Sequence, residues 1–456
     1  MTNSTLDSYK KRWQEKTIAV LGLGVSNRPL ARMLLAAGCH VIGCDRTPRE
    51  NLDEEILELE RQGLTLKVGP TYLENLQADV VFRTPGMHPE TPALVALREQ
   101  GAEITSEMEI FFECCPCPII AVTGSDGKTT TTTLISEILK AAGKTVHLGG
   151  NIGAPLLPRV EEMKKDDWAV VELSSFQLMD MRRSAQIAVV TNLAPNHLDV
   201  HKDMAEYVQA KKNVFAYQNP EGVTVLNLDN EITRGFADEV PGTIRFFSRQ
   251  EKAQVYLEDG IIWANGEKIL EQNDILLPGI HNVENYMAAI AALQGLVSKE
   301  AIQQVAKNFG GVEHRIELVR VKDGVRYYND SIASSPSRTI AGLRSFKEQV
   351  ILIAGGYDKH IPYDVLGPEI CRHVKKLVVT GATGEKIRQA VVNCEEYREN
   401  APEILSIEDF DQAVFTAAKG AVEGDVVLLS PASAAFDKFK NFMVRGRHFK
   451  DLIQNL

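Results

Sequence analysis

The sequence predicts an α/β protein of three domains built on parallel sheets, and three observations carry that prediction. Its 456 residues exceed the roughly 250 to 300 at which a single core stops growing. In the first and last thirds, short β-branched runs alternate with helical segments, the pattern of parallel strands joined by crossover helices. Between them, Ile120-Ala-Val-Thr-Gly-Ser-Asp-Gly-Lys-Thr-Thr-Thr-Thr-Thr-Leu134 reads as a strand, a glycine turn and a helix N-terminus. The expected domains are residues 1–107, 108–311 and 312–456, the middle one a P-loop ATPase-type sheet flanked by helices.

In the first domain, Ile18-Ala-Val-Leu-Gly22, His40-Val-Ile-Gly-Cys-Asp45 and Asp79-Val-Val-Phe82 read as strands. The turn Gly22-Leu-Gly24-Val-Ser26-Asn27 opens a helix, and Asp45 ends the second strand about 20 residues on, where dinucleotide folds hold a ribose hydroxyl. Asn27 replaces the third glycine of that fingerprint, which favours a nucleotide diphosphate over an intact dinucleotide and leaves a purely structural turn open. Arg83-Thr-Pro-Gly86 is expected at the carboxyl edge of the same sheet, where open α/β folds bind ligands. The second domain adds strands at Trp168 to Leu173 and Ile187 to Leu193. It also carries a meander near Val255 to Leu270, with hairpin turns at Asp259-Gly260 and Asn265-Gly266, and a helix from about Asn282 to Leu296. The third repeats strand and helix at Val325–Asn329, Val350–Ala354, Leu377–Thr380 and Val426–Leu429.

Composition narrows the function. An apolar fraction of 44% with 24% charged residues is that of globular proteins, and no run nears the roughly 18 apolar residues of a membrane span. A soluble protein is expected. Met1 to Lys16 is polar, unlike a secretory signal or presequence, so a cytoplasmic location is expected. Seven cysteines, an odd number, argue for reduced thiols. Cys114, Cys115 and Cys117 crowd together, but no second cluster completes a zinc site. A net charge of −11 disfavours nucleic acid, so locally placed Lys and Arg must meet any anionic substrate.

The glycine turn carries the sharpest chemistry. Backbone N–H groups freed by Gly124 and Gly127, the positive end of the next helix and the Lys128 ammonium would converge on a polyphosphate, with the Thr129 hydroxyl on Mg²⁺. Val122 stands where the commonest such loop has its first glycine, so the loop is shorter. Glu172 ends a buried strand beside Ser174, Ser175 and Gln177; a carboxylate there suits Mg²⁺, with a buried ion pair or helix N-cap as the plain alternative. His197, Asp199 and His201 offer two imidazoles and a carboxylate, or simply a surface loop. Lys211 and Lys212 follow on a helix, where one of them is ordinarily a solvated face.

These motifs, in this order, resemble the Mur ligase family across essentially the whole chain. The match runs through Gly22-Leu-Gly24, Thr84-Pro-Gly86, Thr123-Gly-Ser-Asp-Gly-Lys-Thr129, Gly149-Gly-Asn-Ile-Gly153, Glu172-Leu-Ser-Ser-Phe-Gln177 and His197-Leu-Asp199. It continues with His281-Asn282, His314-Arg315, Asn329-Asp-Ser331, Ala354-Gly-Gly356 with Lys359, and Leu429-Ser-Pro431 through Phe439-Lys-Asn-Phe442. The Glu172–Gln177 run and the closing Asp437-Lys-Phe-Lys-Asn-Phe442 point to the D-glutamate-adding member.

The resemblance implies Rossmann-like first and third domains around the central ATPase domain. It implies ATP-dependent addition of D-glutamate to UDP-N-acetylmuramoyl-L-alanine in peptidoglycan precursor synthesis, through an acyl phosphate, by a monomer. By the same resemblance, Lys128, Glu172, His197 and Lys211 are catalytic. Gly124, Ser125, Asp126, Gly127, Lys128, Thr129, Thr130, Asn282, Asn285, Arg315 and Asp330 meet ATP. Mg²⁺ is held by Thr129, Glu172, His197 and Lys211, the last as a carbamate. The UDP substrate is met by Val25, Ser26, Asp45, Arg46, Thr84, Asn151, Ser174 and His197, and the amino acid by Lys359, Ser334 and Phe442. The third domain is expected to close over the nucleotide.

Two departures bear on amino-acid specificity. Ile332 replaces the lysine that usually follows Asn329-Asp-Ser331, with Arg338 the nearby cation, and Ala435 replaces a serine. The competing readings are a sibling ligase adding another amino acid, a folylpolyglutamate synthase-like enzyme, against which the first domain preceding the loop weighs, an ATPase that hydrolyses without ligating, and a dehydrogenase using Gly22-Leu-Gly24. Asn27 and the phosphate loop weigh against the last.

Overall fold

The computed structural model describes the whole chain except residues 1–3, 25, 196–199 and 360. It contains three sheets. The first comprises β1 (Thr17–Leu21), β2 (His40–Asp45), β3 (Thr65–Val68), β4 (Val80–Phe82) and β5 (Glu103–Thr105), all parallel, in the order β3-β2-β1-β4-β5. The chain therefore leaves β1 in one direction and resumes at β4 in the other. That reversal opens a crevice at the carboxyl ends of β1 and β4, the usual ligand position in such sheets.

The second sheet has nine strands: β6 (Ile119–Thr123), β7 (Val146–Gly150), β8 (Trp168–Glu172), β9 (Ile187–Val190), β10 (Val223–Asn227), β11 (Thr243–Ser248), β12 (Val255–Glu258), β13 (Ile261–Ala264) and β14 (Glu267–Glu271). Their order is β14-β13-β12-β11-β10-β9-β6-β8-β7, and pairing is antiparallel only between β12, β13 and β14. Asp259-Gly260 and Asn265-Gly266 turn that meander with all four residues at positive φ, the conformation of a type I′ hairpin. β6 lies between β8 and β9 with every residue buried, so the turn after it opens from the middle of the sheet.

The third sheet contains β15 (Glu317–Lys322), β16 (Val325–Asn329), β17 (Val350–Ala354), β18 (Val374–Val379), β19 (Glu403–Ser406) and β20 (Val426–Leu429), in the order β15-β16-β20-β17-β18-β19. Only β15 runs antiparallel. β15 and β19 escape a reading by apolar runs because both are half-buried and polar. Yet Asp323-Gly324, with φ of 51° and 74°, carries the same hairpin signal as the two turns above.

The chain forms two compact units, Met1–Gln272 with Glu284–Val305, and Asn273–Val283 with Ala306–Leu456. Within the first, one continuous core runs from Leu6, Trp13 and Phe82 beside the first sheet to Phe111, Leu157 and Val190 of the second. Glu107 joins the same two regions, its buried carboxylate accepting the Leu157 N–H at 2.7 Å. Among the described residues, no helix is long and apolar enough to cross a membrane.

Candidate active site

The glycine turn after β6 is held by the carboxyl end of β9. Gly124 (φ 149°) packs so closely on Thr191 that a Cβ would lie 2.0 Å from its hydroxyl. Asn192 holds both faces of the loop, its carbonyl accepting the Ser125 N–H and its side-chain oxygen the Asp126 N–H, each at 2.9 Å. The Thr191 hydroxyl donates to the Asp126 carbonyl at 2.6 Å. Gly127 (φ 76°) caps the Lys128–Ala141 helix, and a Cβ there would meet the Asn285 Oδ1 at 2.3 Å. Both glycines are thus required by close approach as well as by φ. Thr129 is half-buried and Thr130 buried in the first helical turn, and the Lys128 Nζ lies 2.8 Å from the Ser125 carbonyl.

Lys211 enters this loop from below. Its helix, Met204–Lys212, directs Tyr207 and Lys211 to the loop, four residues apart and so on one face. The Tyr207 hydroxyl meets the Ser125 hydroxyl at 2.9 Å. The Lys211 Nζ donates to the Thr123 Oγ1 at 2.9 Å and the Gly124 carbonyl at 3.0 Å, with the side chain only 2% exposed. Burial, reinforced by the Lys128 charge and opposed by Glu172, pushes the amine well below its ordinary value. The neighbouring Lys212 takes the plain role expected of one of the two, pairing with the exposed Glu239 at 2.6 Å.

Glu172 ends β8 beside Val122 of β6 and is 1% exposed. Its Oε1 accepts the Asn151 side-chain amide at 2.7 Å, while its Oε2 has no hydrogen-bond partner among the described residues. A buried, half-satisfied carboxylate next to a phosphate loop fits a hard cation, which takes oxygen ligands. No cluster of three or more His, Cys, Asp or Glu able to hold a metal occurs among the described residues. Ser174 accepts the Gln177 N–H and is contacted in return by its side chain, so it caps a helical turn. His201 is a core histidine, 2.9 Å from the Ser175 hydroxyl and stacked on Phe176. His197 and Asp199 lie outside the described residues.

At the first sheet, Gly22 (φ 77°) packs against Thr84, whose side chain would be 3.2 Å from a Cβ. These two residues flank the crevice between β1 and β4. Asp45 accepts the Leu23 N–H at 2.7 Å and the Thr47 N–H at 2.9 Å. Burial raises its pKa, but these N–H groups outweigh burial and hold it below the ordinary value. Asn27 explains the missing third glycine: its amide donates to the carbonyls of Leu21 and Gly22 at 3.0 and 2.9 Å. Ser26 and Arg46 are exposed; Val25 lies outside the described residues. Arg83, quoted with this turn, is a buried strut, donating to Asp180 at 3.0 Å, Phe176 O at 3.1 Å and Met87 O at 2.6 Å.

A cavity of about 790 Å³ lies elsewhere in this unit, lined by His88, Glu109, Asp180, Glu206, Gln209 and Asn213 among others. Its lining includes Glu206 and Gln209 of the Met204–Lys212 helix but neither Lys211 nor any residue of the glycine loop. Volume alone therefore does not mark the chemistry.

The second unit holds its own constellation at the carboxyl ends of β16, β17 and β20. Asp330, 4% exposed, accepts the Ser430 hydroxyl at 2.8 Å and the Ile316 N–H at 3.3 Å. Burial outweighs that hydroxyl and the nearby Arg315 charge, pushing its pKa up to about 7. Arg338 adds to the positive field there and donates to the Ile332 carbonyl at 3.3 Å. Phe442 begins the last helix and packs edge-on against His314. Lys359 is exposed and Ser334 half-buried, whereas Ala435 is buried. Asn282 donates to the Pro278 carbonyl at 2.6 Å. The supports missed from sequence are Thr191 and Asn192, which directly follow the buried strand β9, and Arg445 within the last helix, which no motif marks.

Two family models match, the Mur ligase middle domain over residues 122–293 and the Mur ligase, glutamate ligase domain over 314–433. A protein of Acetivibrio thermocellus called UDP-N-acetylmuramoylalanine--D-glutamate ligase is 50% identical, covering 100% of this chain and 99% of that one. One of the same description from Clostridium novyi is 48% identical over 99% of both. The fold matches UDP-N-acetylmuramate-alanine ligase of Thermotoga maritima at a TM-score of 0.60 and 19% identity, covering 96% of this chain and 99% of that one. With two matched models and relatives half-identical along the full length, the chain belongs to the Mur ligase family.

Proposed function

We propose that this protein is an ATP-dependent ligase that joins D-glutamate to the alanyl carboxylate of UDP-N-acetylmuramoyl-L-alanine, in the cytoplasmic synthesis of peptidoglycan precursors. The observation that carries the reading is the meeting of Lys128, Lys211 and Glu172 around one glycine loop. The choice of acceptor and amino acid is supported by the description of full-length relatives. We assign residues 1–107 to the UDP substrate, 108–311 to ATP and 312–456 to the amino acid and nucleotide, in a chain that acts as a monomer.

The chemistry follows from the poor reactivity of a carboxylate toward amines. The alanyl carboxylate attacks the γ-phosphorus, a P–O bond to ADP breaks, and an acyl phosphate results. Lys128 and the N–H groups of Gly127 to Thr130 hold the transferred phosphoryl oxygens, those of Ser125 and Asp126 being taken by Asn192. The D-glutamate amine then attacks the acyl carbon and phosphate leaves. Mg²⁺, when bound, supplies charge neutralisation on the phosphates; Thr129, the second oxygen of Glu172, and His197 are the groups we assign to it. Lys211 is the proposed site of carbamylation: burial disfavours its charged form, the neutral amine attacks carbon dioxide, forming an N–C bond and releasing a proton, and the product is a carboxylate.

For the UDP substrate we assign Val25, Ser26, Asp45, Arg46, Thr84, Asn151, Ser174 and His197. Asp45 acts there through the Leu23 and Thr47 backbone it fixes. Adenine is assigned to Asn282 and Asn285, the ribose and phosphates to Arg315 and Asp330, and the amino acid to Lys359, Ser334 and Phe442, with Arg338 near the cation that Ile332 lacks.

The test is phosphate release with ATP, Mg²⁺ and UDP-N-acetylmuramoyl-L-alanine, comparing D-glutamate with L-glutamate, L-lysine, meso-diaminopimelate and no amino acid. Release that requires D-glutamate is expected. Preference for another amino acid would move the assignment to a sibling ligase, and release indifferent to all of them to a non-ligating ATPase.

A further inference from the structure

The cysteines that crowd at residues 114 to 117 have no part in the chemistry above, yet two of them are closely paired. The Cys115 and Cys117 sulfurs are 3.5 Å apart, and the Cys115 thiol also approaches the Cys117 carbonyl at 3.4 Å. Pro116 stands between them and holds that residue's φ. The segment is anchored on both sides. The Cys115 N–H bonds the Phe111 carbonyl at 2.8 Å at the end of the Glu107–Cys114 helix. Beyond the pair, the Pro118 carbonyl accepts the Ala169 N–H at 3.0 Å and the Ile119 N–H donates to the Gln186 side chain at 2.8 Å. The two sulfurs are thus already near van der Waals contact on an anchored segment.

We propose that Cys115 and Cys117 form a reversible dithiol–disulfide site whose oxidant is a hydroperoxide. The two thiols differ in access and acidity. Cys115 is half-buried, whereas Cys117 is 4% exposed, which admits a peroxide but hinders a bulky disulfide. The Cys115 thiol donates to the Cys117 carbonyl, which keeps the proton on Cys115, and its contact with the Cys117 sulfur outweighs burial and holds the Cys117 thiol below its ordinary value. Cys117 is therefore the attacking sulfur and Cys115 the resolving one. In the first step the Cys117 thiolate bonds one peroxide oxygen, the O–O bond breaks, and the departing hydroxide takes a proton to become water. In the second, the Cys115 sulfur bonds that of Cys117, the S–O bond breaks, and hydroxide leaves with the Cys115 proton as a second water. The pair loses two electrons and the peroxide gains them. The product ties down the stretch of chain running into β6, whose far end opens into the glycine loop.

The experiment uses the full-length protein, reduced, desalted and treated with equimolar hydrogen peroxide, then denatured in N-ethylmaleimide and digested. The expected result is a peptide containing residues 115–117 that is lighter by two hydrogens and carries no maleimide on either sulfur, with both sites returning after dithiothreitol. In Cys115→Ser, dimedone should trap a sulfenic acid on Cys117; in Cys117→Ser, no adduct should form on Cys115 at the same peroxide concentration. Continued alkylation of both sulfurs, a sulfinic acid on Cys117 without a bridge in the unmutated chain, or a bridge to Cys114 would each overturn the proposal. The measurement on the unmutated chain decides the matter if either variant fails to fold.

Discussion

Lys211 in the first unit and Arg445 in the second are both basic side chains only 2% exposed that donate to neutral oxygens, but the first has two such acceptors and the second four. Arg445 donates to the Ser331 hydroxyl and to the carbonyls of Ser331, Ser433 and Ala434, all within 3.0 Å. Those four bonds tie the last helix to the turns after β16 and β20. Burial lowers its pKa to about 10, so the guanidinium remains charged and acts as a clamp. Lys211 has two acceptors, the Lys128 charge nearby, and an amine driven toward neutrality. A planar five-donor fork suits permanent scaffolding, whereas an ammonium whose charge is easily removed suits chemistry. Burial by itself thus says little about role; the supply of acceptors separates the two.

Four outcomes would sharpen or break this contrast. The largest effect belongs to Lys128→Ala, expected to lower turnover by at least about 10²–10³-fold with little change in melting temperature; near-normal phosphate release would refute its role. Lys211→Ala should be comparably inactive yet folded, and short carboxylic acids should restore part of the activity by occupying the vacated carboxylate position. Absence of rescue at any concentration would count against carbamylation and make Lys211 another clamp. Arg445→Met should show the opposite profile, losing about 3 kcal/mol of stability in urea unfolding because the Ser331 and Ser433 carbonyls lose their donor, whereas Ala434 keeps the Tyr357 N–H. A variant as stable as the parent would remove the basis of the comparison.

The smallest effect is a pH dependence at Asp330. Its folded pKa is raised from 3.8 to about 7, so between those values the folded state holds a proton that the unfolded state has released. Stability should therefore fall as pH rises from about 4 to 7 and level off above. Asp330→Asn should flatten that slope in denaturant titrations across the range; an unchanged slope would assign it to other groups.

Legibility from sequence differed between the two sites for a physical reason. The glycine loop, Glu172 at a strand end and the type I′ turns are local: each depends on residues within a few positions, whose φ angles and hydrogen bonds are set by the chain around them. Strands β15 and β19 were not legible, because half-buried edge strands lack an apolar run. Arg83 read as part of a ligand turn, yet it meets Asp180 and Phe176 more than ninety residues away. The two histidines and the carboxylate after β9 looked alike in sequence, and only the packing of His201 on Phe176 and Ser175 separates it as core.

By itself, the sequence determined the α/β class, the glycine loop with Lys128 and Thr129, and membership of the family, because ordered short motifs and β-branched runs are properties of neighbouring residues. Only the tertiary structure decided which of Lys211 and Lys212 is buried, that Asn27 caps strand carbonyls where a glycine was expected, and that Cys115 and Cys117 bring their sulfurs together. Those outcomes depend on which atoms remain after water is excluded, and that is set by the packing of elements distant in the chain.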